Sequence, residues 1–289
     1  MHAFVSVIVP VYNNPAGMQI VLTGLTSQTY PLDRYEVIVA DNGSTDETAQ
    51  VVNGFIEGVP ELVSMVTEAD IQGSYAARNK GIGAARGEIL AFIDSDCDPD
   101  TDWVTQGVAA LEEQTAAAGG GRIAFTFKRS RPNVYEYLDS ARKLNQRSYV
   151  EVYGFAATAN MFVRREAFDR HGLFRSDLVS GGDYEFGRRI TRAGEILIYI
   201  ENATVRHPAR DSFGAIVRKS RRIVMGQKRL RKLGLLEHGK LSVRNLVPIR
   251  RWPADPTWEQ TLTPLNKLHL LFLQNYLLAI RWWIDNPVR

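Results

Sequence analysis

The sequence predicts an α/β protein: a mostly parallel sheet flanked by helices on both faces, followed by a helical C-terminal extension. Three observations carry this reading. Short Val/Ile-rich runs alternate with helical stretches at the spacing of βα units, no hairpin signal separates successive runs, and polar residues collect directly after the apolar runs. With 289 residues and 45% apolar side chains, the chain has room for one large α/β domain or for a domain with an appendage.

The first run, Phe4 to Val11, ends at a Pro/Asn-rich turn, and Tyr35 to Ala40, Leu62 to Thr67 and Ile89 to Ile93 are three more of the same kind. Between them the pattern turns helical over roughly Ala16 to Ser27, Thr45 to Ile56 and Ser74 to Ala85. A fourth helix is expected near Thr101, and the three glycines at 119 to 121 read as a loop before the strand RIAFTF. Val134 to Tyr149 reads as a more polar helix, Asn160 to Arg164 as a strand, Asp183 to Ala193 as a helix and Ile196 to Ile200 as a strand. Beyond Pro208 the character changes to a long basic helix, about Phe213 to Leu233, then a Pro/Trp-containing linker, then LNKLHLLFLQNYLLAIRWWI. The expected division is therefore a domain over 1–209, with a ligand-binding half to 98 and a second half over 99–209, and an extension over 210–289. Ligands of such sheets sit beyond the carboxyl ends of the strands.

The single cysteine, Cys97, excludes an internal disulfide and an all-cysteine zinc site and fits a reducing compartment. The opening MHAFVSVIVPVYNN lacks a basic n-region and reads as the first strand of a cytosolic protein. Net charge is only +3, but Arg210 to Arg251 holds thirteen Lys/Arg against Asp211 and Glu237.

Chemistry gathers where the runs end. Val11 leads into Tyr12, Asn13 and Asn14, Ala40 into ADNGSTD, and Ile93 into Asp94, Asp96, Asp98 and Asp100. Ser44 or Thr45 could cap the helix that follows, with Glu47 in its first turn. The aspartate run does not fit a calcium loop, whose sixth position is Gly and twelfth Glu, because those positions are Pro99 and Thr105 here. Pro99 suits the first turn of a helix, which would make Asp98 its N-cap and place Asp100 and Asp102 near the positive end of the dipole. Asp94 and Asp96 close an apolar strand, where carboxylates are costly unless paired or bound to a cation. Two hard oxygen ligands with open positions suit Mg²⁺ or Mn²⁺ on a diphosphate.

In this order the motifs resemble family 2 glycosyltransferases of the GT-A fold, over about residues 4 to 207. VSVIVPVYNN resembles the opening strand of that family, ADNGSTDET its nucleotide-binding turn, and SYAARNKGIGAARGEILAFIDSD the helix and strand that lead to its D-x-D. NMFVRREAFDRHGLF and GGDYEFGRRI are similar to its acceptor-side segment and acidic catalytic motif. The resemblance implies a Rossmann-like, mostly parallel sheet and an inverting, metal-dependent hexosyltransferase that uses a nucleoside-diphosphate sugar of the UDP, GDP or dTDP type. It implies a nucleotide site of Pro10, Tyr12, Asp41, Arg78, Asp94 and Ser95, with Mn²⁺ or Mg²⁺ held by Asp96 and His207. By the same resemblance Asp183, at a helix start after a flexible Ser180-Gly181-Gly182, is the base, and Glu185 is the alternative base or an acceptor ligand. Asn160, Gly182 and Arg189 fall on the acceptor side. The chain departs from the pattern at Gly182, where the family often has Glu, and at Arg175 and Ser176, where an acidic pair is common. His2, His171, His238 and His269 match no motif.

The basic stretch, the tryptophans Trp252, Trp258, Trp282 and Trp283, and the final amphipathic segment together suit peripheral contact with the cytosolic face of a membrane; packing on the domain or a homodimer is the competing reading. Lys267, His269, Gln274, Asn275 and Arg281 interrupt that segment too often for a bilayer span. The expected acceptor is a hydroxyl of a glycan or lipid-linked molecule in polysaccharide, cell-envelope or glycolipid synthesis, and nucleic acid is not the expected partner. Two other functions share much of this pattern: a sugar nucleotidyltransferase, although no Gly-rich Arg/Lys loop follows the first strand, and a catalytically idle scaffold that binds nucleotide sugar.

Overall fold

The computed structural model describes residues 2–141, 144–236, 249, 251 and 262–285. Its strands are β1 (Val5–Val11), β2 (Tyr35–Asp41), β3 (Val63–Thr67), β4 (Ile89–Ile93), β5 (Asp98–Pro99), β6 (Ala118–Thr126), β7 (Asn160–Arg164) and β8 (Leu197–Pro208). Its helices are α1 (Pro15–Leu25), α2 (Thr48–Gly58), α3 (Ser74–Ala84), α4 (Trp103–Glu113), α5 (Val134–Ala141), α6 (Gln146–Glu151), α7 (Arg165–His171), α8 (Gly182–Arg192), α9 (Phe213–Lys232) and α10 (Pro264–Asp285). The chain divides into two compact units. One takes in residues up to 124, 145–177 and 182–207, and the other 125–144, 178–181 and 208 onward.

The sheet order is β3-β2-β1-β4-β7-β6-β8-β5. The pairs from β3 to β4 are parallel, as expected of βα units, whereas β4 pairs with β7, β7 with β6 and β5 with β8 antiparallel. The sheet is thus mixed, and the parallel expectation holds only for its first half. Every residue of β1 and β2 is buried, which is why both read as mostly apolar runs; the exceptions Ser6 and Glu36 bond each other, Ser6 Oγ donating to Glu36 at 2.6 Å. On one face Val5, Val7 and Val9 join a core with Met18, Leu22 and Trp103. On the other, Gly81 of α3 lies so near Ile8 that a Cβ would come within 2.7 Å of its Cγ2. Gly83, two residues on, is exposed.

Three local expectations are corrected. Gly119, Gly120 and Gly121 lie inside β6, because a Cβ on each would strike Ile200, Ala156 or the Ala203 carbonyl; a close approach of neighbours, not a turn, requires them. The polar helix expected over Val134 to Tyr149 is two helices, the second capped by Asn145, whose Oδ1 accepts from Ser148 N. Asp98 caps no helix: Asp98–Pro99 pairs with Val205 and Arg206, and Arg206 forms ion pairs with Asp98 and Asp100. The helix begins four residues after Pro99, at Trp103, with Asp102 ahead of it.

In the second unit, α5, α9 and α10 enclose Tyr137, Leu138, Ile216, Leu270, Leu273 and Leu277. Buried Asp139 accepts from Lys219 Nζ at 2.6 Å and from Arg210 at 3.1 Å. Burial alone would raise its pKa, but the two cations outweigh that and hold it below the ordinary carboxylate range. Two of the thirteen cations are therefore structural, and Arg231 is tied to Asp285 in the same way. Glu237, His238, Trp252 and Trp258 lie outside the described residues.

Candidate active site

The C-terminal ends of β1, β2 and β4 are stitched together by side chains that follow them. Val11 is in register with Asp41. Asn13, at a positive φ of 50° that Asn tolerates, donates its N–H to Ser44 Oγ at 2.9 Å and accepts from Thr45 N at 2.8 Å. Asp41 is buried and receives Ser44 N on both oxygens at 3.2 Å. Ser44 and Thr45 are thereby committed to the turn; Asp46 accepts from Thr48 N and Oγ1 at the start of α2. Asn14 links the β1 end to the β4 end: its Oδ1 caps α1 at Gly17 N, and its Nδ2 donates to Ser95 O and Oγ at 3.3 and 3.2 Å. Pro10 is buried within β1, and Tyr12, 52% exposed, stands open beside Asp41's turn.

Beyond β4 the two aspartates diverge. Asp94 Oδ1 accepts from Arg78 Nη2 at 2.6 Å, and Arg78 itself is buried on α3. Arg78 Nε is buried without a hydrogen-bond partner among the described residues, so this side chain retains a donor for a ligand. Asp96 Oδ1 lies 3.8 Å from His207 Nε2, and Cys97 Sγ completes a group whose ligand atoms all lie within 4.8 Å of one another. A carboxylate and an imidazole at that spacing fit one divalent cation with bonds of about 2.1 Å. Cys97 is wholly buried and belongs to the apolar core beneath the site.

Asp183 enters from α8. Its Oδ1 accepts from Tyr75 OH at 3.0 Å and from Tyr184 N at 2.9 Å. Burial pushes its pKa above the ordinary carboxylate value; the two hydrogen bonds and Arg78 pull it down, and Asp94 pushes it up again. Asp183, Arg78 and Asp94 thus share one electrostatic environment. Gly182 is required by Tyr75, whose ring carbons would lie 2.9 Å from a Cβ at that position. The segment ahead of it, expected to be flexible, is closely packed within the second unit: Gly226 of α9 leaves room only for Ser180, and Gly181, at φ +84°, sits against Leu230.

Three residues expected at the acceptor, Asn160, Glu185 and Arg189, take another place. Asn160 is fully buried and uses its whole side chain within the sheet, accepting from Trp103 Nε1 at 2.8 Å and donating to Arg122 O and Ala203 O at 2.8 and 2.9 Å. It holds β7 to its neighbours and leaves nothing for a sugar. Glu185 commits both oxygens to Arg189 at 3.0 and 2.9 Å, and Arg189 also donates to the His171, Gly172 and Leu173 carbonyls. That pair fixes α8 against the end of α7. Tyr75, Asn14 and Cys97 carry no motif in the sequence that marks them as site residues. Tyr75 stands one helical turn before Arg78, and the N-P step after Asn13 marks a cap, which are the only local signals either offers.

Residues 6–172 match the model of Glycosyl transferase family 2. The chain belongs to this family. The glycosyltransferase is 36% identical to glycosyltransferase AglE of Haloferax volcanii over 249 residues, covering 86% of this chain and 79% of that one. It is 28% identical to the pre-mycofactocin glycosyltransferase of Mycobacterium tuberculosis over 214 residues, which are 72% of this chain but only 43% of that relative. Among solved structures it is similar to the mannosyltransferase PcManGT of Pyrobaculum calidifontis in complex with GDP-Man and Mn²⁺, with a TM-score of 0.63, 21% identity and coverage of 98% and 72%. Residues 1–349 of S. aureus TarS with UDP-GlcNAc give 0.58, 23% identity and coverage of 72% and 59%. These likenesses show that this family 2 glycosyltransferase has the GT-A fold, with a C-terminal helical part.

Proposed function

We propose that the enzyme transfers a sugar, with inversion, from a nucleoside diphosphate of the UDP, GDP or dTDP type to a hydroxyl of a glycan or lipid-linked acceptor in polysaccharide, cell-envelope or glycolipid synthesis. The observation that carries the reading is the placement of Asp183, a carboxylate made more basic by burial, in the same field as the Arg78–Asp94 pair at the end of β4. Asp183 takes the proton of the acceptor hydroxyl as its oxygen bonds to the anomeric carbon; the bond from that carbon to the diphosphate oxygen breaks, and the electron pair leaves with the nucleotide. Tyr12 and the Asp41 turn would receive the base and ribose. Arg78 would donate its unused Nε–H to the diphosphate, and Asp94 and Ser95 would position it. A divalent cation held by Asp96 and His207, when bound, offsets negative charge on the departing group. Glu185 and Arg189 orient α8, and through it Asp183.

Asp183→Asn tests the assignment. Transfer should fall by about a thousandfold or more while nucleotide binding, read by thermal shift with Mn²⁺, survives. Normal turnover in that variant would refute the assignment of the base.

A further inference from the structure

The helix α10 has two apolar faces. Leu270, Leu273 and Leu277 enter the core of the second unit. On the opposite side Leu265, Leu268, Phe272, Tyr276 and Trp283 are 74%, 64%, 62%, 40% and 58% exposed. Steps of three and four place all five on one stripe, together with exposed Ala279 between the last two. The rings of Phe272 and Tyr276 stack at 6.1 Å, and Phe213 of α9 meets Tyr276 at 5.4 Å, so the stripe runs onto the neighbouring helix. Beyond Phe213 the exposed positions of α9 are Arg218, Arg221, Arg222, Met225, Arg229 and Lys232, which share a single face, and the helix contains no acidic residue.

We propose that this surface docks in the plane of an anionic lipid bilayer, with the α10 stripe among the acyl chains and headgroups and the α9 cations against lipid phosphates. An apolar stripe of this length left in water invites a partner. Two features choose the partner. Cations edging a stripe with Tyr and Trp at one end match an anionic interface. A second copy of this chain would bring the same α9, which has no acidic residue to complement the cations. No described helix is long and apolar enough to cross a membrane, so the geometry is that of a helix lying in the surface. The inference does not depend on the catalytic reading.

The test is flotation of the full chain with phosphatidylcholine vesicles and with vesicles that also contain phosphatidylglycerol. Binding should require the anionic lipid and weaken with salt. Phe272→Ser with Trp283→Ser, and separately Arg218→Gln with Arg221→Gln and Arg222→Gln, should each reduce it by roughly tenfold or more. All five side chains are exposed, so circular dichroism should report an unchanged fold. Absence of flotation with anionic vesicles, binding that ignores lipid charge, or a dimer that the Phe272/Trp283 variant dissociates would each overturn the proposal. None of these readouts involves turnover, so their failure would leave the assignment of Asp183 standing.

Discussion

The hydroxyl of Tyr75 donates to Asp183 at 3.0 Å, joining residues 108 apart in the chain. Because Gly182 leaves no side chain, the Tyr75 ring fits where a Cβ would have met it, and its oxygen reaches the carboxylate. Tyr75 is a positioning residue for the proposed base and one of the groups that hold its pKa down.

Tyr75→Phe should keep the ring and lose that donor. The Asp183 pKa then moves further up, and the acid limb of the kcat/KM profile shifts to higher pH. Turnover near neutral pH should fall by about tenfold, since a hydrogen bond to a charged group contributes about 1.5–3 kcal/mol. Thermal stability at neutral pH should fall by a few degrees, because the same hydrogen bond is made in the folded resting enzyme. A pH profile that does not move would remove Tyr75 from the mechanism.

Gly182→Glu, which installs the residue that the family resemblance leads one to expect there, should impair this enzyme. The new Cβ would displace the Tyr75 ring, a rigid group that cannot fold away. Turnover is expected to drop by roughly tenfold or more together with thermal stability, and a second change, Tyr75→Ala, should recover part of the lost stability by making room, but not the turnover that needs the Tyr75 hydroxyl. If Gly182→Glu alone has normal rates, the steric account is wrong.

Asp183→Asn should also alter stability in a pH-dependent way. Below the pKa of an unfolded carboxyl, about 3.9, both states carry the proton and burial has no charge to penalise. Once pH rises past the elevated folded value, the folded state alone bears the cost of a desolvated carboxylate. The variant should therefore unfold at a higher temperature than the parent at neutral pH and differ little near about pH 4. An equal offset at both pH values would point to packing rather than charge.

Removal of divalent metal with a chelator should stop transfer, and Mn²⁺ or Mg²⁺ should restore it. His207→Ala should raise the half-saturating metal concentration by roughly tenfold or more, and Asp96→Ala should prevent restoration. Full activity after exhaustive chelation would exclude the Asp96–His207 pair from the reaction.

Asn160→Ala should behave as a fold mutation. It strands the Trp103 Nε1–H and the Arg122 and Ala203 carbonyls, so a loss of about 2–4 kcal/mol is expected in denaturant unfolding. The acceptor KM of the surviving folded fraction should stay within about twofold; a large rise would return Asn160 to the acceptor site.

Much of this site was legible because its signals are local. β1, β2 and β4 read directly from their apolar runs, and the polar residues that end them follow within a few positions. Asp98 looks like a helix cap for the same reason: Pro99 is a strong local helix signal, but pairing with Arg206, more than a hundred residues away, wins. The three glycines of β6 show the same conflict, since only the side chains opposite them reveal that they admit neighbours rather than turn the chain.

What the sequence determined by itself was the alternation of strands and helices, the family through its ordered motifs, and the cluster of carboxylates at the strand ends, all properties of residues close together in the chain. Tertiary structure alone decided that Tyr75 meets Asp183, that Asn160 is a strut, that Asp139 neutralises part of the basic tail, and that one face of α10 is left exposed. Each depends on which distant side chain occupies the adjoining space, and periodicity along the chain carries no record of that.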